Sequence, residues 1–206
     1  MKTILVTGGC GFIGSHTCVS LIENGYKVVV IDSFTNSSPT NLNILSEIVN
    51  KKYGDLSKRF FLFKGDIRDE FFLSEIFKEF QRTQDGIDSV IHIAGLKAVS
   101  ESILKPLEYW SANVSGTLSL LKIMRRFNCF KIIFSSSATV YDAFFEGILN
   151  EQAPVKPQNP YGRNKLAIEN ILKDLYMSQP DFWKIAILRY FNPIGSHPSG
   201  KIGEAP

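Results

Sequence analysis

Tyr161 and Lys165 stand four residues apart, and a run of three hydroxyls, Ser135 to Ser137, lies upstream of them. Four-residue spacing places a phenol and an ammonium on one face of a helix. A tyrosine near its ordinary pKa of ~10 is a poor base at neutral pH, but a fixed cation beside it favours phenolate and is expected to lower that value. Tyr161 would then accept a proton from a hydroxyl. A Tyr-x-x-x-Lys spacing alone more often marks surface packing than catalysis. Ser137 reverses that reading, because it ends an apolar run and continues into Ala138-Thr139, where its hydroxyl would share a substrate oxygen with the phenol. Serine there orients and polarises, since no histidine is placed to make it a nucleophile. His16 falls inside the first expected helix, His92 in the fourth expected strand and His197 in the tail, and all three read as structural.

A second constellation sits at the other end of the chain. Gly8, Gly11 and Gly14 recur at three-residue spacing in Thr7-Gly8-Gly9-Cys10-Gly11-Phe12-Ile13-Gly14, directly after an apolar run and at the opening of the first expected helix. Glycine lets the backbone turn tightly and approach a pyrophosphate closely, while the following helix offers free N–H donors and its positive dipole end. Gly8, Gly11, Phe12, Ile13 and Gly14 are therefore candidate cofactor residues. A glycine triplet is weak by itself, but Asp32 follows Gly14 by 18 residues, where a carboxylate accepts both hydroxyls of an adenosine ribose. It would repel a 2′-phosphate, and no arginine occurs in Ser33-Phe34-Thr35-Asn36, so NAD is favoured over NADP. Asn36 is counted with the cofactor residues.

These groups need a scaffold that brings them to one place. Short runs rich in Val and Ile, at 3–7, 27–31, 60–63, 89–93, 131–134 and 184–188, lack polar alternation and read as strands buried on both faces. Helices are expected at 12–24, roughly 40–52, 69–81, one long helix within 106–128, and 161–177, with Pro106 opening one and Gly25 closing another. Strict alternation predicts an α/β class, a doubly wound parallel sheet of the Rossmann fold, whose ligand crevice lies at the carboxyl ends of the strands. The longest irregular segment, 142–159, precedes the last helix, and periodicity is lost after Phe191.

Composition narrows the alternatives. In 206 residues, 23 Lys and Arg against 20 Asp and Glu leave a formal charge of +3, too little for a nucleic-acid binder or a polybasic membrane anchor. Lys51-Lys52 and Arg125-Arg126 read as solvated loop and helix-end charges. No apolar run approaches the roughly eighteen residues of a membrane span. Cys10, Cys18 and Cys129 form neither a metal-ligand spacing nor an even disulfide framework, so no metal is expected and a reducing cytoplasm fits best.

With these residues in view, the chain resembles the extended short-chain dehydrogenase/reductase superfamily and, within it, the UDP-glucose 4-epimerases. The likeness rests on 7–16, Gly65-Asp66-Ile67, Ala94-Gly95-Leu96-Lys97-Ala98-Val99, 135–141, Tyr161-Gly162-Arg163-Asn164-Lys165 and Arg189-Tyr190-Phe191-Asn192-Pro193, in that order across almost the whole length. The resemblance implies that Asp66 and Ile67 hold the adenine edge. Ala94, Gly95 and Lys97 would line the cofactor, with Lys97 reaching the pyrophosphate, and Asn113 would contact the cofactor region. Ser137 and Tyr161 would meet the sugar hydroxyl, Lys165 would bind the nicotinamide ribose and tune Tyr161, Phe191 would abut the nicotinamide, and Asn192 would contact a UDP-sugar. The implied reaction interconverts UDP-glucose and UDP-galactose by transient hydride transfer to NAD.

The resemblance further implies a homodimer paired through the two long helices, and a division into an NAD-binding domain over 1–191 and, at 192–206, the start of a connection to a substrate domain. On that division the chain is expected to bind NAD and to epimerise weakly or not at all, because misplacement of about 1 Å can cost ~100-fold in rate. Asp142 stands where the family usually has glycine. Three alternatives stay open: a related epimerase of N-acetylated or uronic sugars, a nucleotide-sugar 4,6-dehydratase, and a non-catalytic NAD-binding module. The dehydratase reading lacks its Asp-Glu acid pair, since Val140-Tyr141 follows Thr139.

Overall fold

The computed structural model describes residues 1–38, 47, 58–82 and 86–202. In chain order it contains β1 (Thr3–Thr7), α1 (Phe12–Glu23), β2 (Lys27–Asp32), β3 (Phe60–Lys64), α2 (Glu70–Arg82), β4 (Ser89–His92), α3 (Val99–Leu104), α4 (Pro106–Tyr109), a π-helical segment (Trp110–Ser115), α5 (Gly116–Arg126), β5 (Lys131–Ser137), a 3-10 turn (Ala138–Val140), α6 (Pro160–Ser178) and β6 (Lys184–Tyr190). The helix expected near 40–52 and the Lys51-Lys52 pair lie, apart from Glu47, outside the described residues.

All six strands run parallel in the order β3-β2-β1-β4-β5-β6. The chain winds outward from β1 through β2 to β3, then returns to β4 on the other side of β1. The strand order reverses there, and the loops after β1 and β4 diverge to open a crevice. Alternate residues of each central strand enter opposite layers. Ile4, Val6, Val28 and Val30 pack with Cys18, Val19 and Ile22 of α1. Leu5, Val29, Ile31, Val90, Ile132 and Phe134 pack on the other face with residues of α2, α5 and α6, among them Leu73, Phe77, Leu120 and Ile168. No helix among the described residues is long and apolar enough to cross a membrane.

One expectation needs correction. β1 is buried along its whole length and β2 from Val28 onward, but β3 and β6 are not buried on both faces. They are the outer strands of the described sheet, and one face of β5 and β6 is open, with Ile133 37% and Leu188 41% exposed. The long helix expected within 106–128 runs unbroken from Pro106, which opens it as expected, to Arg126, and its middle, Trp110–Ser115, is π-helical. The extra backbone of that stretch swings Asn113 inward, where it is 2% exposed.

Candidate active site

The carboxyl ends of the strands surround a cleft of about 1210 Å³, lined by residues following β1, β2, β3, β4, β5 and β6. That is larger than an ordinary small-ligand pocket. Every candidate site residue named from the sequence lines it except Asn113.

The glycine loop forms the floor. Gly8 has φ +71°, and a Cβ there would lie 2.7 Å from the Ala94 backbone nitrogen; a Cβ on Gly14 would lie 2.1 Å from the Gly8 carbonyl oxygen. These two glycines let loop, helix and neighbouring strand touch. Gly11 differs, since a Cβ there would meet only the Gly8 oxygen at 3.5 Å. Gly11 caps α1 without a side-chain hydrogen bond, so the first-turn N–H groups of Phe12, Ile13 and Gly14 are left for a ligand. The bare backbone and unpaired donors facing the cleft fit a dinucleotide pyrophosphate.

Asp32 closes this floor on the β2 side. Its carboxylate accepts from the Cys10 N–H (2.9 Å), the Phe34 N–H (2.9 Å) and the Ser37 hydroxyl (2.8 Å). A carboxylate has about four acceptor sites, and the Cys10 thiol also turns to this one, so a ribose hydroxyl would take the place of one of these donors. The same bonds hold the turn in shape, with Phe34 at φ +59°. Asn36 lies beside it on the cleft wall. Further along, Asp66 is gripped by the Arg68 guanidinium at 2.6 to 3.1 Å, and Arg68 also reaches the Ser111 hydroxyl at 3.0 Å. Hydrogen bonding from Arg68 holds the Asp66 carboxyl below the usual carboxylate range, despite partial burial.

On the other side of β1, β5 and α6 assemble the hydroxyl, phenol and amine. The Asn159 side chain caps α6 by accepting from the Gly162 N–H at 2.8 Å, and the Tyr161 N–H donates to the Ser102 hydroxyl at 3.2 Å. A Cβ at Gly162 would come within 2.5 Å of the Thr139 carbonyl oxygen, so glycine lets the helix start rest directly on the 3-10 turn. Thr139 donates to Ser137 Oγ from its backbone N–H (3.2 Å) and its hydroxyl (3.0 Å). With both lone pairs engaged, the Ser137 proton is free to turn toward Tyr161, where its interaction favours phenolate.

The expected lowering of the Tyr161 pKa is corrected here. Burial pushes the phenol above its ordinary value, and only the Ser137 hydrogen bond works the other way. Lys165 does not sit against the phenol oxygen. It donates to the Ser135 carbonyl at 2.7 Å, lies 4.9 Å from the Phe134 ring centroid and is 5.7 Å from that of Tyr161. Burial brings this ammonium down to about 8. The amine is therefore poised near neutrality, and the phenol is desolvated and hydrogen-bonded by serine.

Asn113 stands behind the cleft wall. Its amide holds the Leu96 N–H (2.8 Å) and carbonyl (3.1 Å), so it supports the loop carrying Ala94, Gly95 and Lys97 instead of facing the cleft. A Cβ on Gly95 would press on the Asn113 oxygen at 2.9 Å. Phe191 is exposed at the rim beside the Tyr141 ring, 6.2 Å between centroids, with Asn192 next to it. Residues to which the sequence assigned no role include Ser102, Thr139 and the ion pair of buried Glu169 with Arg189. Thr139 lies within the 135–141 motif, and Glu169 continues the Tyr161-Lys165 face by one more turn; nothing local distinguishes Ser102. Among the described residues there is no group of metal-ligating side chains, and all three cysteines are buried thiols.

A parallel sheet with a switch point, a glycine floor and a Ser-Tyr-Lys wall defines a Rossmann-fold domain of the short-chain dehydrogenase/reductase class. More narrowly, the chain belongs to the family described as GDP-mannose 4,6 dehydratase, whose model matches residues 5–204. It is 48% identical over 205 residues to UDP-glucose 4-epimerase 2 of Arabidopsis thaliana, which covers 100% of this chain and 56% of that protein. The UDP-glucose 4-epimerase of Bifidobacterium longum, solved in complex with NAD+ and UDP, superposes with a TM-score of 0.90 at 46% identity, over 100% of this chain and 58% of that one. The Stenotrophomonas maltophila enzyme, solved with NAD and formylated UDP-arabinopyranose, gives a TM-score of 0.90 at 39% identity, over 100% and 57%. The likeness to UDP-glucose 4-epimerases seen in the motifs thus extends through the fold, and the chain spans little more than half the length of these relatives.

Proposed function

We propose that this chain carries the NAD-binding and proton-transfer machinery of a UDP-glucose 4-epimerase acting in the cytoplasm. The observation that carries the reading is the meeting of Ser137, Tyr161 and Lys165 on the wall of the same cleft whose floor is the glycine loop. NAD, when bound, supplies a hydride acceptor that returns the hydride to either face of the sugar. Tyr161 removes the proton from the 4-hydroxyl of the UDP-sugar as C4 is oxidised and gives it back as the 4-keto group is reduced. When the sugar is bound, the single Ser137 proton turns to the same oxygen and orients it, and Lys165, 5.7 Å from the Tyr161 ring centre, supplies positive potential on the same wall. Asp32 selects NAD, Asp66 and Ile67 border the adenine, and Phe191 and Asn192 edge the nicotinamide and sugar.

The dehydratase described by the family model needs an acid and a base beyond this set. Val140 and Tyr141, which follow Thr139, are buried and supply no carboxylate, which supports epimerisation. Exposed Trp110 and Leu118 on the long helix within 106–128, and Tyr176 and Met177 on α6, support pairing of two copies through these two helices.

The test is hydride transfer from UDP-galactose to bound NAD, followed at 340 nm in a single turnover, with UDP-glucose resolved chromatographically. Tyr161→Phe is expected to slow this step about 10³-fold while NAD affinity stays within about threefold. A Tyr161→Phe protein that turns over like its parent overturns the assignment. For the cofactor, Asp32→Ala is expected to weaken NAD binding roughly 10- to 100-fold, the worth of hydrogen bonds to a charged group. Because the repulsion of a 2′-phosphate goes with it, the NAD-to-NADP preference should also fall by about tenfold or more, read by calorimetric titration of both.

A further inference from the structure

A chain of hydrogen bonds runs beneath the cleft through three buried side chains, Thr7, His92 and Thr117, to the main-chain carbonyl of Asn113. Thr117 Oγ1 lies 2.6 Å from the Asn113 carbonyl oxygen, which accepts its only proton. The contact between Thr117 Oγ1 and His92 Nε2, at 2.8 Å, must then use the imidazole N–H. That leaves Nδ1 bare, and the Thr7 hydroxyl donates to it at 2.7 Å. The Thr7 hydroxyl oxygen is in turn a second acceptor, at 3.3 Å each, for the N–H groups of Ile93 and Ala94, which also donate to the Thr7 main-chain carbonyl at 3.1 and 3.0 Å. Every proton has one place to go, and His92 is held as the neutral Nε2–H tautomer. Burial, with the nearby Lys165 charge adding to it, brings the imidazole down to about 3, so it stays neutral at any physiological pH.

The two ends of this chain hold the same loop. Thr7 meets Ile93 and Ala94, whose backbone touches Gly8, and Asn113 clamps Leu96 by both its N–H and its carbonyl. We propose that His92 is a positioning residue for the cofactor, bracing the loop Ile93–Lys97 against the glycine floor through Thr7 on one side and Thr117 with Asn113 on the other. Sheet order sets which part of the ligand feels this. β4 lies between β1 and β5, so the loop borders the half of the cleft that leads to Ser137 and Tyr161, whereas Asp32 on β2 serves the opposite, adenosine half. Loosening the loop should therefore weaken a whole dinucleotide and spare its adenosine monophosphate portion.

This inference rests on the NAD reading of the cleft, and the experiment separates the two. NAD and AMP are titrated calorimetrically against the parent chain, His92→Phe and His92→Gln, with thermal melts of each. His92→Phe is expected to lose at least tenfold in NAD affinity, with AMP affinity within threefold. His92→Gln, whose amide both accepts from Thr7 and donates to Thr117, is expected to return NAD affinity to within threefold of the parent. Unchanged NAD binding by the Phe variant overturns the proposal, as does an equal loss for NAD and AMP in a protein that still melts cooperatively. Should the Phe variant not fold, Thr117→Val decides: a selective NAD loss of fivefold or more supports the brace, and parental affinity overturns it. Amide exchange at Leu96 in nucleotide-free protein provides the separate check. It should quicken at least tenfold in the Phe or Val variant and remain parental with Gln, even if the parent chain proves to bind no NAD; parental exchange in both disrupted variants overturns the brace.

Discussion

Alanine at position 14 is expected to abolish measurable NAD binding, a loss beyond about 10²-fold or roughly 2.7 kcal/mol, and to lower the melting temperature as well. The new Cβ would stand 2.1 Å from the Gly8 oxygen and 2.7 Å from the Gly9 Cα, and both are backbone atoms with no rotamer to turn away. Relief requires moving the glycine loop off α1, which removes the close approach that the pyrophosphate needs. Overpacking of this kind typically costs about 1–3 kcal/mol in stability. Gly11→Ala is the internal control. Gly11 is extended at φ −74°, ψ 177°, and its Cβ would meet only the Gly8 oxygen at 3.5 Å, so the fold should melt as the parent does. Equal NAD affinity in the Gly14→Ala protein and its parent, by titration calorimetry, would contradict the assignment of this loop.

The second large effect concerns stability. Glu169 is 1% exposed and accepts from Arg189 at 2.7 and 3.0 Å and from the Ser136 hydroxyl at 2.6 Å. Burial works to raise its carboxyl, but the hydrogen bonds from Arg189 and Ser136 prevail and hold it below the usual range. Arg189 also lies 4.8 Å over the Tyr141 ring and reaches the Glu151 carbonyl at 3.4 Å, so one pair joins α6, β5, β6 and the loop before α6. Glu169→Gln leaves the Arg189 guanidinium, whose side chain is 14% exposed, without its counter-charge. A loss of about 3–5 kcal/mol is expected, a fall in melting temperature on the order of 10 °C for a chain of this size. Replacing both partners together, Glu169→Met with Arg189→Met, should restore much of that loss, because no charge is then stranded. Thermal or urea unfolding of the three proteins checks this. A single variant as stable as its parent would mean that the pair is solvated in solution.

Some of this architecture was legible before any coordinates. The glycine spacing, the aspartate 18 residues on and the unalternating Val/Ile runs are local patterns, and local patterns suffice because strand burial and tight β-α turns are decided within a few residues. Edge exposure of β3 and β6 was not legible, since which strand lies outermost depends on the order in which crossovers stack. The π-helical stretch at Trp110–Ser115 was hidden for a related reason: its residues keep helical spacing, and only the pull of Asn113 toward Leu96 distinguishes it.

Residue type and short spacing carried the class of fold, the glycine-lined floor and the candidate serine, phenol and amine. Tertiary structure alone decided how those groups are charged. Lys165 turns to the Ser135 carbonyl, burial raises the Tyr161 phenol, and Ser137 is oriented by Thr139, all through partners brought from distant elements. The physical reason is that proton affinity depends on desolvation and on which dipoles lie within hydrogen-bond reach. Neither quantity exists along a chain until the strands and helices have been packed together.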